Sequence, residues 1–251
     1  MMSTLGVADN GGCDSFGGSV VLGGSPARER NGGTTSSSAA VAHSLWERGV
    51  VGSIPTYSTM KFSIITPWLP PRKTIHETIR YIDEQSFDDW EHLIAIDRKD
   101  HEPLISSDPR RRIFECDPEH KNWGNRCRYD MWEKAQGDWI IYLDDDDILY
   151  PNCLDRVARW VNDNTTHDWG YFAIKLGNGK FFHYPPAGGL ITGGQVFHRR
   201  IALDGTPIRW FDTPNMAADW DLVYQQLLPK GEPILIDEIL GQLPKHGKGQ
   251  V

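Results

Sequence analysis

The chain has 251 residues, with 34 acidic against 26 basic side chains and a net charge of −8. That acidic balance excludes a protein that coats nucleic acid electrostatically, and no apolar run reaches the roughly 18–20 residues of a membrane span. The four cysteines (Cys13, Cys116, Cys127, Cys153) lack CxxC or finger spacing. This excludes a disulfide scaffold and a zinc finger, and free thiols in a reducing compartment are expected.

The first 60 residues hold 11 Gly, 10 Ser and 5 Thr but only 7 charged residues. Such a composition cannot bury enough apolar surface to offset chain entropy. Residues 1–59 are therefore expected to be a flexible tail and residues 60–251 the folded domain. The opening MMSTLGVADNGG has no basic segment followed by an apolar stretch. It does not read as a secretory signal, and a cytoplasmic location is expected.

From Lys61 strands and helices alternate. FSIIT (62–66) is a short apolar, β-branched strand ended by the turn-rich PWLPPRK. A helix follows, with Thr74 and Glu77 in capping-box spacing and Ile75, Ile79 and Ile82 on one face. HLIAI (92–96) is a buried strand with Asp97 at its end, and RRIFEC (111–116) is a third. The next helix carries Cys127, Met131, Trp132 and Ala135, with Gly137 suited to its C-cap. WIIYL (139–143) is the most apolar strand and runs straight into four aspartates. Leu154, Val157, Ala158 and Val161 then mark a helix. Strand–helix–strand alternation with fully apolar strands predicts an α/β fold, a mostly parallel sheet covered on both faces. Beyond it lie a hairpin around Asn178-Gly179, a Gly-rich GGLITGG leading into QVFHRR, a helix over 217–228 and a strand at PILID. This half predicts a smaller mixed sheet added to the first.

The strongest chemical feature is YLDDDDILYP (142–151). Adjacent carboxylates at a strand end repel one another, and without a partner some would have raised pKa values. The carboxyl ends of strands are where open α/β sheets bind ligands. A hard divalent cation with oxygen ligands, Mn²⁺ or Mg²⁺, would relieve the repulsion and could hold a diphosphate. The alternating ligands and glycine of an EF-hand are missing. No GxGxxG is present for a dinucleotide fold, and PWLPPRK lacks the glycines of a nucleotidylyltransferase loop.

Four passages in order carry a family resemblance: KFSIITPWLPP, IDEQSFDDWEHLIAID, WGNRCRYDMWEKAQGDWIIYLDDDD and ADWDL. Together they resemble the family-two glycosyltransferases of GT-A fold, over about three-quarters of the chain. The resemblance implies an inverting, metal-dependent transfer of a sugar from a nucleotide sugar, a UDP-sugar foremost, to an acceptor hydroxyl. It places Asp144, Asp145 and Asp146 on the DxD aspartates. Asp146 is then the foremost metal ligand, Asp144 contacts the ribose or shares the metal, and Asp147 orients its neighbours. Asp97 would read the nucleotide base, Thr66 and Pro67 would line the same pocket, with Trp68 a candidate to stack on the base, and Arg128 would pair with phosphate. Asp219 matches the catalytic base, and His246 resembles a late histidine that completes the metal shell. Ala218 stands in place of the usual Glu and Tyr129 in place of an Asn. The first departure leaves a non-catalytic nucleotide-sugar-binding module as the alternative. GGLITGGQ and the region 211–216 are expected to wall the acceptor side.

Overall fold

The computed structural model describes residues 60–99, 101–116, 122–179, 181–182, 186–187 and 191–244. The expected tail and His246 lie outside the described residues. Among those described, nine strands form one sheet in the order β3-β2-β1-β4-β8-β6-β9-β5, with β7 added beside β6. β1 (Phe62–Trp68), β2 (Trp90–Ile96), β3 (Arg111–Glu115) and β4 (Trp139–Tyr142) are mutually parallel. Every residue of β1, β2 and β4 is buried, as apolar strands of a sheet covered on both faces must be. β8 (Val196–Arg199) runs antiparallel to β4 and begins the mixed half. There β6 (Trp169–Lys175) pairs antiparallel with β8 and with the short β7 (Phe181–Phe182), and parallel with β9 (Ile234–Gln242). β5 (Ile148–Leu149) closes the edge against β9.

The period-2 alternation of β1 divides the core. Phe62 and Ile64 join Trp139, Ile141 and helix α3 (Cys153–Asp163) on one face. Ile65 joins Leu93, Ile140, Tyr142 and helix α2 (Asn125–Lys134) on the other. Helix α1 (Ile75–Asp83) seats Ile75 against Trp68, Ile94 and Ile96.

Three local expectations are corrected. Thr74 precedes α1 in helical geometry (φ −57°, ψ −28°), and its hydroxyl caps nothing, so the capping-box spacing is not realised. Gly137 is not the cap of α2; Ala135 is, in extended geometry. Gly137 instead donates its N–H to Ser63 Oγ at 2.8 Å, and a Cβ there would lie 2.6 Å from the Ser63 nitrogen. The helix expected over 217–228 is α-helical only at Ala218–Leu222 (α4). It widens into π-type turns over Val223–Leu227 and tightens to a 3₁₀ turn at Leu228–Lys230 around Pro229.

Candidate active site

From β1 the chain reaches β2 and β3 on one side, and β4 lies on the other. The strand order reverses between β1 and β4, and this switch point opens a crevice at the strands' carboxyl ends. A cleft of about 620 Å³ lies there. Pro67 and Trp68 end β1, Asp97 follows β2, Asp144–Asp147 follow β4, and Trp123–Asn125 with Arg128 come from the start of α2; all line it. Gly193, Gly194, Trp210, Met216 and Asp219 line it from the mixed half of the sheet.

The four aspartates are not equivalent. The Asp144 side chain is 55% exposed and ion-pairs with Arg128. Asp146 is half-buried. Asp145 is turned inward, where it accepts the Leu69 N–H and an Arg72 N–H, each at 3.2 Å. Burial pushes its pKa up to about 6 despite the Arg72 charge. Asp147 is also buried, and its carboxyl lies so close under Gly194 that a Cβ there would stand 2.9 Å from Oδ2. Its pKa is raised well above the ordinary range, first by burial and then by Asp144 and Asp146. All four border the cleft, but Asp145 and Asp147 are buried in its wall while Asp144 and Asp146 are the more open pair.

Arg128 is held on three sides. Its Nη1 donates to the Trp123 carbonyl at 2.9 Å, its Nη2 pairs with Asp144, and its guanidinium stacks over Trp210 at 4.8 Å. The buried Nε has no hydrogen-bond partner among the described residues. Trp123 (φ 61°) and Gly124 (φ 73°) both lie in the left-handed region, uncommon for a tryptophan. Gly124 is required there twice over, since a Cβ would meet Pro67 Cβ at 2.6 Å. Trp123 itself is 64% exposed where it lines the cleft.

Asn125 joins the two walls. Its Nδ2 donates to the carbonyls of Thr213 (2.8 Å) and Asn215 (2.9 Å), and its Oδ1 accepts from Trp210 Nε1 (2.9 Å). The stretch it fixes leads directly into α4, where Asp219 accepts the Trp220 N–H at 2.7 Å. Burial raises the pKa of Asp219, opposed by that hydrogen bond and reinforced by Asp144.

Pro67, Asp97, Arg128, Asp144, Asp145, Asp146 and Asp219 therefore meet in one cleft, as do Gly193, Gly194 and Met216 from the expected acceptor segments. Thr66 does not. The alternation of β1 turns it fully inward, where its hydroxyl meets His92 Nε2 at 3.0 Å. Trp68 lines the cleft but is buried, with its indole N–H on the Arg72 carbonyl at 2.9 Å. Arg72, Asn125 and Trp210 were not legible as site residues. Each reaches the cleft through tertiary contacts 73 to 90 residues away in sequence, which no local pattern encodes.

Residues 63–217 match the family model described as glycosyl transferase family 2. A curated relative, the GalNAc(5)-diNAcBac-PP-undecaprenol beta-1,3-glucosyltransferase of Campylobacter jejuni, is 26% identical over 125 residues, 47% of this chain and 40% of its own length. Among solved structures, S. aureus TarS 1-349 in complex with UDP-GlcNAc aligns with a TM-score of 0.58 at 17% identity, over 75% of this chain and 59% of that one. The mannosyltransferase PcManGT of Pyrobaculum calidifontis, in complex with GDP-Man and Mn²⁺, aligns at 0.53 and 14% identity, over 78% of this chain and 59% of that one. These two share the mixed α/β architecture of GT-A glycosyltransferases, and the chain spans less than two-thirds of each relative's length. With more than half its residues inside the family model, the chain belongs to glycosyl transferase family 2.

Proposed function

We propose that the protein transfers a sugar from a nucleotide sugar, a UDP-sugar foremost, to an acceptor hydroxyl, with inversion and with the help of a divalent cation. The observation that carries this reading is the convergence of Asp97, Arg128, Asp144, Asp146 and Asp219 on one cleft at the strand switch point. The complexes of TarS with UDP-GlcNAc and of PcManGT with GDP-Man and Mn²⁺ support the donor class.

Asp97 and Pro67 face the nucleoside end of the donor, and Thr66 acts from behind by fixing the end of β1 through His92. Arg128 offers its guanidinium to the diphosphate. Asp144 and Asp146 are the two carboxylates that remain open to the cleft, an oxygen-only pair suited to Mn²⁺ or Mg²⁺ completed by diphosphate oxygens. Such an ion, when bound, neutralises charge on the leaving diphosphate. Asp219 accepts the proton of the acceptor hydroxyl; its burial-raised pKa favours that role. The two walls hold the reactants in line, which supplies much of the rate by positioning.

The test is calorimetric titration of the full chain with UDP. Binding is expected with Mn²⁺ and nearly lost in EDTA, and Asp146→Ala should lose the metal-dependent part. Undiminished affinity in EDTA would sink the metal assignment.

A further inference from the structure

Nothing in the proposed reaction uses Cys116 or Cys127, yet the fold brings them together. Cys116 directly follows β3 and is fixed by its N–H on the Ile96 carbonyl at 2.9 Å. Cys127 lies in the first turn of α2 and is fully buried, while Cys116 is 8% exposed. Their sulfurs stand 2.7 Å apart, both as thiols. The Cys127 thiol pKa is raised, first by the hydrogen bond with Cys116 and then by burial. The third described cysteine, Cys153, packs in α3 within the opposite core. Two ligands of one zinc, each at about 2.3 Å in a tetrahedron, would sit roughly 3.8 Å apart. The pair is closer than that, and no third ligand joins it among the described residues.

We propose that Cys116 and Cys127 are a disulfide-forming pair, a redox modification site that ties the carboxyl end of β3 to the start of α2. The bond would anchor the base of the segment that carries Trp123, Gly124 and Arg128. Trp123 and Gly124 hold the left-handed turn, with the Trp123 carbonyl on Arg128 Nη1, and a covalent tie beside it would restrain one wall of the cleft. The reading departs from the unpaired thiols expected from sequence.

The oxidant is a hydroperoxide, small enough for a buried pair of which only Cys116, at 8%, keeps any exposure. The Cys116 thiolate attacks the distal peroxide oxygen; a sulfur–oxygen bond forms, the O–O bond breaks, and the alkoxide leaves and is protonated. The Cys127 thiolate then attacks the sulfenic sulfur; the S–S bond forms, the S–O bond breaks, and hydroxide leaves as water. Two thiols and one hydroperoxide thus give one disulfide, one alcohol and one water, with two electrons passing from sulfur to oxygen. The raised pKa of the Cys127 thiol slows the second step, since rate follows the thiolate fraction.

The experiment treats the full chain with hydrogen peroxide, alkylates remaining thiols under denaturing conditions, and maps peptides by mass spectrometry beside thermal unfolding. The expected result is a Cys116–Cys127 cross-linked peptide two hydrogens lighter than its parts, with Cys153 alkylated. Tm should rise by roughly 5–10 °C and return to its starting value with dithiothreitol. Cys116→Ser should show neither cross-link nor shift; Cys116→Ala serves equally if the serine variant folds poorly. Full alkylation of both cysteines after peroxide, over-oxidation without a cross-link, a cross-link to a different cysteine, or a Tm shift that persists in Cys116→Ser would each overturn the proposal. No sugar nucleotide is involved, so the outcome is independent of the proposed transfer activity.

Discussion

Asp219 sits where a residue's environment and its chemistry agree. Its carboxylate is desolvated and lies within the field of Asp144, and both effects raise its proton affinity. General-base assistance typically contributes about 10²–10⁴ in rate. Asp219→Asn keeps the shape and removes the basicity, so UDP release from the accepted nucleotide sugar should fall by that factor while UDP affinity holds. Asp221, tied to Asn215 Nδ2 at 2.8 Å, is the control, and Asp221→Asn should cost less than tenfold. Turnover of Asp219→Asn within a few-fold of the parent would place the base elsewhere or favour the binding-module reading. At this scale the sequence makes the carboxylates legible because four in a row at a strand end have few bland explanations. It does not reveal which of the four turn inward. That division depends on Arg72, the Leu69 N–H and the close backbone at Gly194, all brought in by folding.

At the scale of elements, β1, β2 and β4 are legible because each centres on a short apolar run, and burial of every residue in them is the physical counterpart. Caps and helix ends are less legible. Gly137 looks like a helix stop in the sequence, but its missing Cβ is needed where the chain presses on Ser63 at the entry to β4. The last helix changes its winding twice, which a 3.6-residue period cannot signal. β8 adds a consequence for pH. His198 is fully buried, with Nδ1 2.7 Å from the Arg199 carbonyl, and a proton on Nε2 would find no acceptor among the described residues. Burial accordingly holds its pKa down to about 4, against 6.5 ordinarily. Below pH 6.5 the unfolded chain takes up a proton at this site that the folded chain refuses until about pH 4. Stability is therefore full above that window and falls as pH drops through it, by about 1.4 kcal/mol per pH unit. His92, also buried and shifted the same way, adds to the loss. Between pH 7 and 5 urea unfolding should show the parent losing about 2 kcal/mol more than His198→Asn. Equal losses would remove His198 from the acid response.

For the whole molecule, the family match begins at Ser63, close to the first strand and just beyond the Gly- and Ser-rich stretch. Its Gly- and Ser-rich composition is the ground for expecting a tail outside the folded domain. A chain beginning at Met60 is therefore expected to keep the Tm and the UDP affinity of the full chain. A lowered Tm, aggregation or lost binding would show that residues 1–59 pack on the domain.

Asn125 gives the cleft a kinetic property. One side chain grips two carbonyls and one indole of the acceptor-side wall while standing three residues from the arginine proposed to meet the donor. A displacement of α2 by the proposed donor would pass through these bonds to the stretch before Asp219, and by linkage the second substrate would act back on the first with equal strength. Initial-rate plots against both substrates should intersect off the abscissa, with the apparent Michaelis constant of each substrate changing as the other is varied. Asn125→Ala should weaken that interdependence, leaving each apparent Michaelis constant nearly blind to the other substrate's concentration; unchanged interdependence would mean that the two walls communicate by another route.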